Sequence, residues 1–276
     1  MSYPLKVAER VITELGIEDL EDLKLLEEIA WARGALVRFE ILEGAEARLM
    51  NVGKPAIITV STNVVNKHRQ RFCIAHEIGH LEMHQHQLAL SLCAKEEMND
   101  WWTGLSTKET GKNIEQEANL FASALLLPEP FFAPLCDIEV PSLEYISNIA
   151  DKFNTSLTST ALRYLTFSKE PLAIIWSEKN RIRWFQESKS FAEIREELRL
   201  FIDVRSKLDP TTKASLFFTY GSIPYGIKSV PVTAWFSSGE YLKSAVIKEE
   251  SIGLPTYNAT LSMLYIDDVI EDDDYY

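Results

Sequence analysis

Apolar residues recur at helical spacing over residues 6–15 and again over 20–33. In the second run Leu23, Leu25, Leu26, Ile29, Ala30 and Ala32 form the stripe, and Gly16 and Gly34 punctuate the two ends. Three short strand-like runs follow at 35–42, 47–52 and 56–61, with turns at Gly44, Gly53 and Pro55. A third helical run is expected from a cap at Asn63 to His84 or Gln85. A fourth carries Ile114, Ala118, Phe121, Ala122 and Leu125 on one stripe and stops at Pro128. Residues 141–167 predict two helices around a turn at Asn154-Thr155-Ser156, the shape of a helix-turn-helix.

From Pro171 the pattern turns to strands. Residues 172–177 and 181–186 predict a hairpin, 191–208 a helix, and 229–236, 241–249 and 259–266 further strands. This order predicts an α+β fold in three parts: residues 1–136, a helix-turn-helix-like segment at 137–168, and a C-terminal mixed sheet domain at 169–276 that ends in an acidic tail.

The third helical run contains His76-Glu77-Ile78-Gly79-His80. On a helix, His76 and His80 share a face with Cβ atoms roughly 5–6 Å apart, a spacing that suits two ligands of one Zn²⁺. Glu77 sits about 100° further round, where a carboxylate can serve a water as base without ligating the metal. All five histidines (His68, His76, His80, His84 and His86) fall within nineteen residues.

A third protein ligand is expected, because catalytic zinc commonly takes three and leaves one position open. Glu115 and Asn119, four residues apart, face the same way. Glu115 suits the metal, and Asn119 suits the orientation of a ligand imidazole. Glu117 is turned about 200° from Glu115 and is the less favoured of the two acids. His86 is a rival by spacing, but that pattern needs a glycine where Met83 stands. His84 reads as a wall of the cleft or as a neighbour of the ligands. Residues 93–112, polar and containing Trp101 and Trp102, read either as a lid or as a packed loop.

Arg71-Phe72, Ala75 to His80, His84, and Glu115-x-x-Ala118-Asn119-x-Phe121-Ala122-x-x-Leu125-Leu126-x-Pro128 resemble the ImmA/IrrE family of zinc metallopeptidases over about residues 55–130. The resemblance implies a minimal thermolysin-like (gluzincin) domain with Zn²⁺ on His76, His80 and Glu115 and with Glu77 as catalytic base. It also implies a protein substrate, a helix-turn-helix repressor of the Xre type or an antitoxin, and a GAF-like, sensor-like domain in the C-terminal part.

Net charge narrows the partners. At −13 the chain is a poor match for phosphate backbones, so direct nucleic-acid binding is not expected, and residues 141–167 read as a packing module. No apolar run approaches the roughly eighteen residues of a membrane span. Cys73, Cys93 and Cys136 are scattered and odd in number, which points to a reducing cytoplasm and buried free thiols.

Overall fold

The computed structural model describes residues 2–84, 90–93, 110–139, 141–237 and 245–266. Two compact units result: Met1–Leu135 with Asn148–Thr160, and Cys136–Ser147 with Ala161–Tyr276. The architecture is mixed α and β.

In the first unit, helix α1 (Tyr3–Glu14) carries Pro4 in its first turn and buries Val7, Ala8 and Val11. The second predicted helix is shorter than its periodicity suggests. Asp19 Oδ1 accepts from the backbone of Glu21 and Asp22, which sets a tight acidic turn. A 3₁₀ turn (Asp22–Lys24) follows, and α2 covers only Leu26–Ala32.

Strands β1 (Ala35–Glu40), β2 (Ala47–Met50) and β3 (Ala56–Ser61) lie where alternation placed them. A strand missed by that reading, β4 (Leu90–Cys93), completes a sheet of order β1-β3-β2-β4. β1 is parallel to β3, and β2 is antiparallel to both β3 and β4. β4 is an edge strand, with Cys93 opposite Ala47; Leu92 is exposed while Cys93 is buried.

Helix α3 (Lys67–Met83) is capped by Asn66, which accepts from Arg69 N, and not by Asn63. Every residue from Phe72 to Leu81 is buried, so polar residues in that span have no face to solvent. Arg71 anchors the helix by donating to the carbonyls of Leu23, Lys24 and Asn154. Helix α4 (Thr110–Leu126) packs against α3, with Phe121, Ala122 and Leu125 fully buried. A short α5 (Glu129–Phe132) follows Pro128.

Helices α6 (Leu143–Phe153) and α7 (Leu157–Leu165) flank a turn at Asn154, whose φ is 53°. The second unit holds an antiparallel sheet of order β6-β5-β9-β8-β7. Its strands are β5 (Leu172–Glu178), β6 (Arg181–Glu187), β7 (Lys228–Pro231), β8 (Val246–Leu254) and β9 (Ala259–Tyr265). β7 is shorter than predicted because a 3₁₀ turn takes over at Val232.

The helix predicted over 191–208 is instead α8 (Lys189–Glu197). It ends where Arg199 adopts φ 52° and Leu200 N bonds back to Arg195 O. Helix α9 (Lys213–Tyr220), between the Thr212 cap and the left-handed Gly221, was not anticipated. Trp176 and Trp184 stack on each other, while Trp235 is buried.

Buried Glu249 fixes α9 to the sheet. Its carboxylate accepts from Lys213 N, Ala214 N, Trp235 Nε1 and Ser251 Oγ at 2.7–3.2 Å. Glu249→Ala strands these donors and is expected to destabilise the second unit by about 3 kcal/mol or more. The check is Trp235 fluorescence against urea, where an unmoved midpoint would contradict the role.

No single helix among the described residues is long and apolar enough to cross a membrane.

Candidate metal centre

His76 and His80, one turn apart on α3, bring their Nε2 atoms to 3.0 Å of each other. Helix α4 supplies Glu115, whose Oε2 lies 3.0 Å from His76 Nε2 and whose Oε1 lies 3.3 Å from His80 Nε2. The edge strand β4 supplies Cys93, with Sγ 3.2 Å from His76 Nε2 and 3.8 Å from His80 Nε2. One ligand atom from each of the four residues lies within 4.8 Å of the others. Donors held about 2.0–2.3 Å from a tetrahedral ion stand roughly 3.3–3.8 Å apart, so the observed spacings suit one small cation.

The hydrogen-bond pattern says which atoms are bare. Asn119 Oδ1 lies 2.8 Å from His76 Nδ1 and can only accept, so that nitrogen carries the hydrogen and Nε2 is left as a lone pair. His80 Nδ1 lies 3.0 Å from His84 Nδ1, and His84 Nε2 lies 3.0 Å from Glu117 Oε2. A carboxylate accepts from His84 Nε2–H, which leaves His84 Nδ1 as acceptor and His80 Nδ1 as donor. His80 therefore also presents a bare Nε2. Burial lowers the His84 pKa, which keeps it neutral, as this relay needs. With both imidazoles turned this way, the Cys93 thiol is, among the described residues, the one group beside them and Glu115 with a hydrogen to give; a cation satisfies both lone pairs and the carboxylate together.

Glu115 has the matching charge. Burial would raise its carboxyl; in the ion-free site, hydrogen bonds from imidazoles protonated at Nε2 outweigh that and hold it well below the usual carboxylate range, and an ion takes the place of those protons. Glu77 is different. Its side chain is buried, and the group nearest to serving it as a donor is the Cys93 thiol. Burial pushes its carboxyl up to about 7. Glu115 adds to the rise, while His80 and the nearby Cys93 thiol oppose it. A carboxyl in that range can both take and return a proton at neutral pH.

The structure brings His76, His80 and Glu115 to one point, with Glu77 beside them. Glu117 does not join this cluster; it ends the relay through His84. Helix α3 runs unbroken to Met83, while His86 lies outside the described residues, as do Trp101, Trp102 and the acidic tail. Cys93, a buried free thiol at the head of the 93–112 segment by sequence, joins the cluster in the fold. Its membership depends on the pairing of β4 with β2, and the only local signal is the alternating run Leu88-Ala89-Leu90-Ser91-Leu92-Cys93.

The relay yields a prediction. Glu117→Gln or His84→Ala is expected to weaken divalent-metal affinity about 10–100-fold, although neither residue reaches the cluster itself. Competition against a chromophoric chelator measures this, and an unchanged affinity would show that the relay orients nothing.

Residues 29–164 match the IrrE N-terminal-like domain, Peptidase_M78. Among solved structures, a Mycobacterium tuberculosis transcriptional regulator is similar in fold over 96% of this chain and 88% of its own, with a TM-score of 0.57 and 17% identity. No curated protein matches in sequence.

Proposed function

We propose that this chain, whose match over residues 29–164 to the IrrE N-terminal-like domain supports membership of the ImmA/IrrE family, is a zinc-dependent endopeptidase. The observation that carries this reading is the meeting of two imidazole Nε2 atoms and the Glu115 carboxylate at one point, beside the buried Glu77 carboxylate. Bound zinc would supply the Lewis acid that acidifies a water and polarises a peptide carbonyl. His76, His80 and Glu115 would hold it. Asn119 and the His84–Glu117 pair would set the imidazoles. Glu77 would take the proton from the water and return it to the leaving amine, a role that its pKa near 7 suits.

The substrate we propose is a specific intracellular protein, a helix-turn-helix repressor of the Xre type or an antitoxin. A protein titled a transcriptional regulator shares the fold, which fits a place in gene control. The helix pair α6–α7 we read as packing and not as a DNA reader. Arg163, the one cation on α7, is buried with its guanidinium over the Phe167 ring, so it cannot grip phosphate. Residues 169–276 we read as a sensor-like, GAF-like domain, and the three cysteines outside any disulfide suit a cytoplasmic setting.

The test is incubation of the zinc-loaded protein with Xre-type regulators encoded beside it, followed by intact-mass analysis. Two fragments whose masses sum to the substrate plus one water are expected. A second reading, a regulator that binds its partner without cutting it, draws support from the Cys93 sulfur within the cluster. Tight binding of an intact partner by zinc-loaded protein would favour that reading over the peptidase.

A further inference from the structure

We propose that Cys93 is a fourth protein donor, and that this structure captures a closed, thiolate-capped form of the centre that must open before a water can reach the metal. The proposal rests on the zinc-site reading above and adds to it a means of regulation.

Catalytic zinc sites keep one position open, whereas sites with four protein donors are structural. Here the fourth direction is filled. Cys93 Sγ lies 3.2 Å from His76 Nε2 and 3.8 Å from His80 Nε2, close to the spacing expected of neighbours around one ion. The thiol is fully buried and forms no disulfide. On ligating a divalent cation it does so as thiolate, releasing its proton to solvent. The Glu77 carboxylate is buried beside it. Glu77 is therefore in place on α3 while the sulfur takes the fourth direction about the other three donors.

The way Cys93 is mounted allows opening. The other three donors sit on the packed helix pair α3 and α4. Cys93 sits at the end of a four-residue edge strand that pairs with β2, and its carbonyl accepts from Glu46 N just ahead of β2. Shifting β4 would withdraw the sulfur without moving either helix. An extended peptide that pairs with β4 or displaces it could do this, so arrival of the substrate and exposure of the metal would be a single event.

Cobalt(II) in place of zinc tests the proposal without an activity assay. Wild-type protein is expected to bind one cobalt and to show both d–d bands and a near-ultraviolet sulfur-to-cobalt charge-transfer band. Cys93→Ser is expected to lose the charge-transfer band, keep the d–d bands and hold cobalt less tightly. A Cys73→Ala/Cys136→Ala double variant, with Cys93 as its only thiol, should keep the band, so a variant at 93 that failed to fold would leave the assignment testable. Acetohydroxamate, which needs an open position, should bind cobalt-loaded Cys93→Ser about tenfold or more tightly than wild type if the cap is closed nine-tenths of the time. Cobalt bound with d–d bands but no sulfur band, or equal hydroxamate affinity in the two proteins, overturns the cap while leaving the metal site standing. No stoichiometric cobalt at all overturns both.

Discussion

Glu77→Gln is expected to leave zinc content unchanged and to lower the cleavage rate by about 10³-fold or more. The side chain keeps its shape but can no longer accept a proton, and removing a positioned general base typically costs 10²–10⁴-fold. With wild type, the rate should rise with pH as Glu77 ionises. The midpoint should fall at or below the value of about 7 set by burial, because a cation nearby favours the charged form. The Gln variant should show no such limb.

The same substitution has a stability signature of the opposite sign. In protein stripped of divalent ions, Glu77 carries a carboxyl raised from the ordinary 4.5 to about 7. Ionising it in the fold therefore costs free energy. The cost is absent below the unfolded value, grows as pH rises, and is complete above about 7. Glu77→Gln removes it, so stripped variant protein should be more stable than wild type at pH 8, by something on the order of 3 kcal/mol, with the gap closing toward acid. Urea midpoints across that range check the sign. A variant that cleaves at the wild-type rate would remove Glu77 from the reaction altogether.

The helices that carry this chemistry were legible because their signal is local. Two histidines four residues apart and the stripe through Ala118, Phe121 and Leu125 are features of contiguous chain, and α3 and α4 form where those patterns lie. Glu115 could be set apart from Glu117 by rotation alone, and the structure sends the two acids to different partners. The relay through His84 needed the spatial meeting of α3 and α4. Cys93 was not legible as a neighbour of the histidines, because its position depends on a strand pairing forty-odd residues away in sequence.

Helix ends were misplaced for physical reasons of their own. The Asp19 turn pre-empted the start of α2, and a left-handed Arg199 stopped α8 although its neighbours continue an amphipathic pattern. Helix α9 has little periodic signal although Thr212 and Gly221 bracket it as caps. Its eight residues are too few for periodicity to stand out.

Gly79 separates local helix preference from tertiary fit most sharply. In an isolated helix, replacing Gly by Ala gains about 1 kcal/mol. In this chain the expected sign is reversed. A Cβ at position 79 would stand 2.9 Å from Phe121 Cδ1, 3.2 Å from its Cγ and 3.3 Å from the Ala118 Cα. Phe121 is fully buried and has nowhere to turn, and the Ala118 contact is backbone, so helix α4 itself must retreat. Glu115 and Asn119 flank Ala118 on that helix and would retreat with it, drawing the carboxylate from the histidines and the amide from His76 Nδ1.

Gly79→Ala is therefore expected to lose about 1–3 kcal/mol of stability, and Gly79→Val more; both should shed zinc with every ligand still present. Phe121→Ala added to Gly79→Val makes room at the contact and should restore part of the zinc affinity, a coupling that a double-mutant cycle reads directly. Should Gly79→Ala instead melt higher and hold zinc as tightly as wild type, the spacing of α3 and α4 is not set by this contact, and the geometry of the centre must be fixed elsewhere along the two helices.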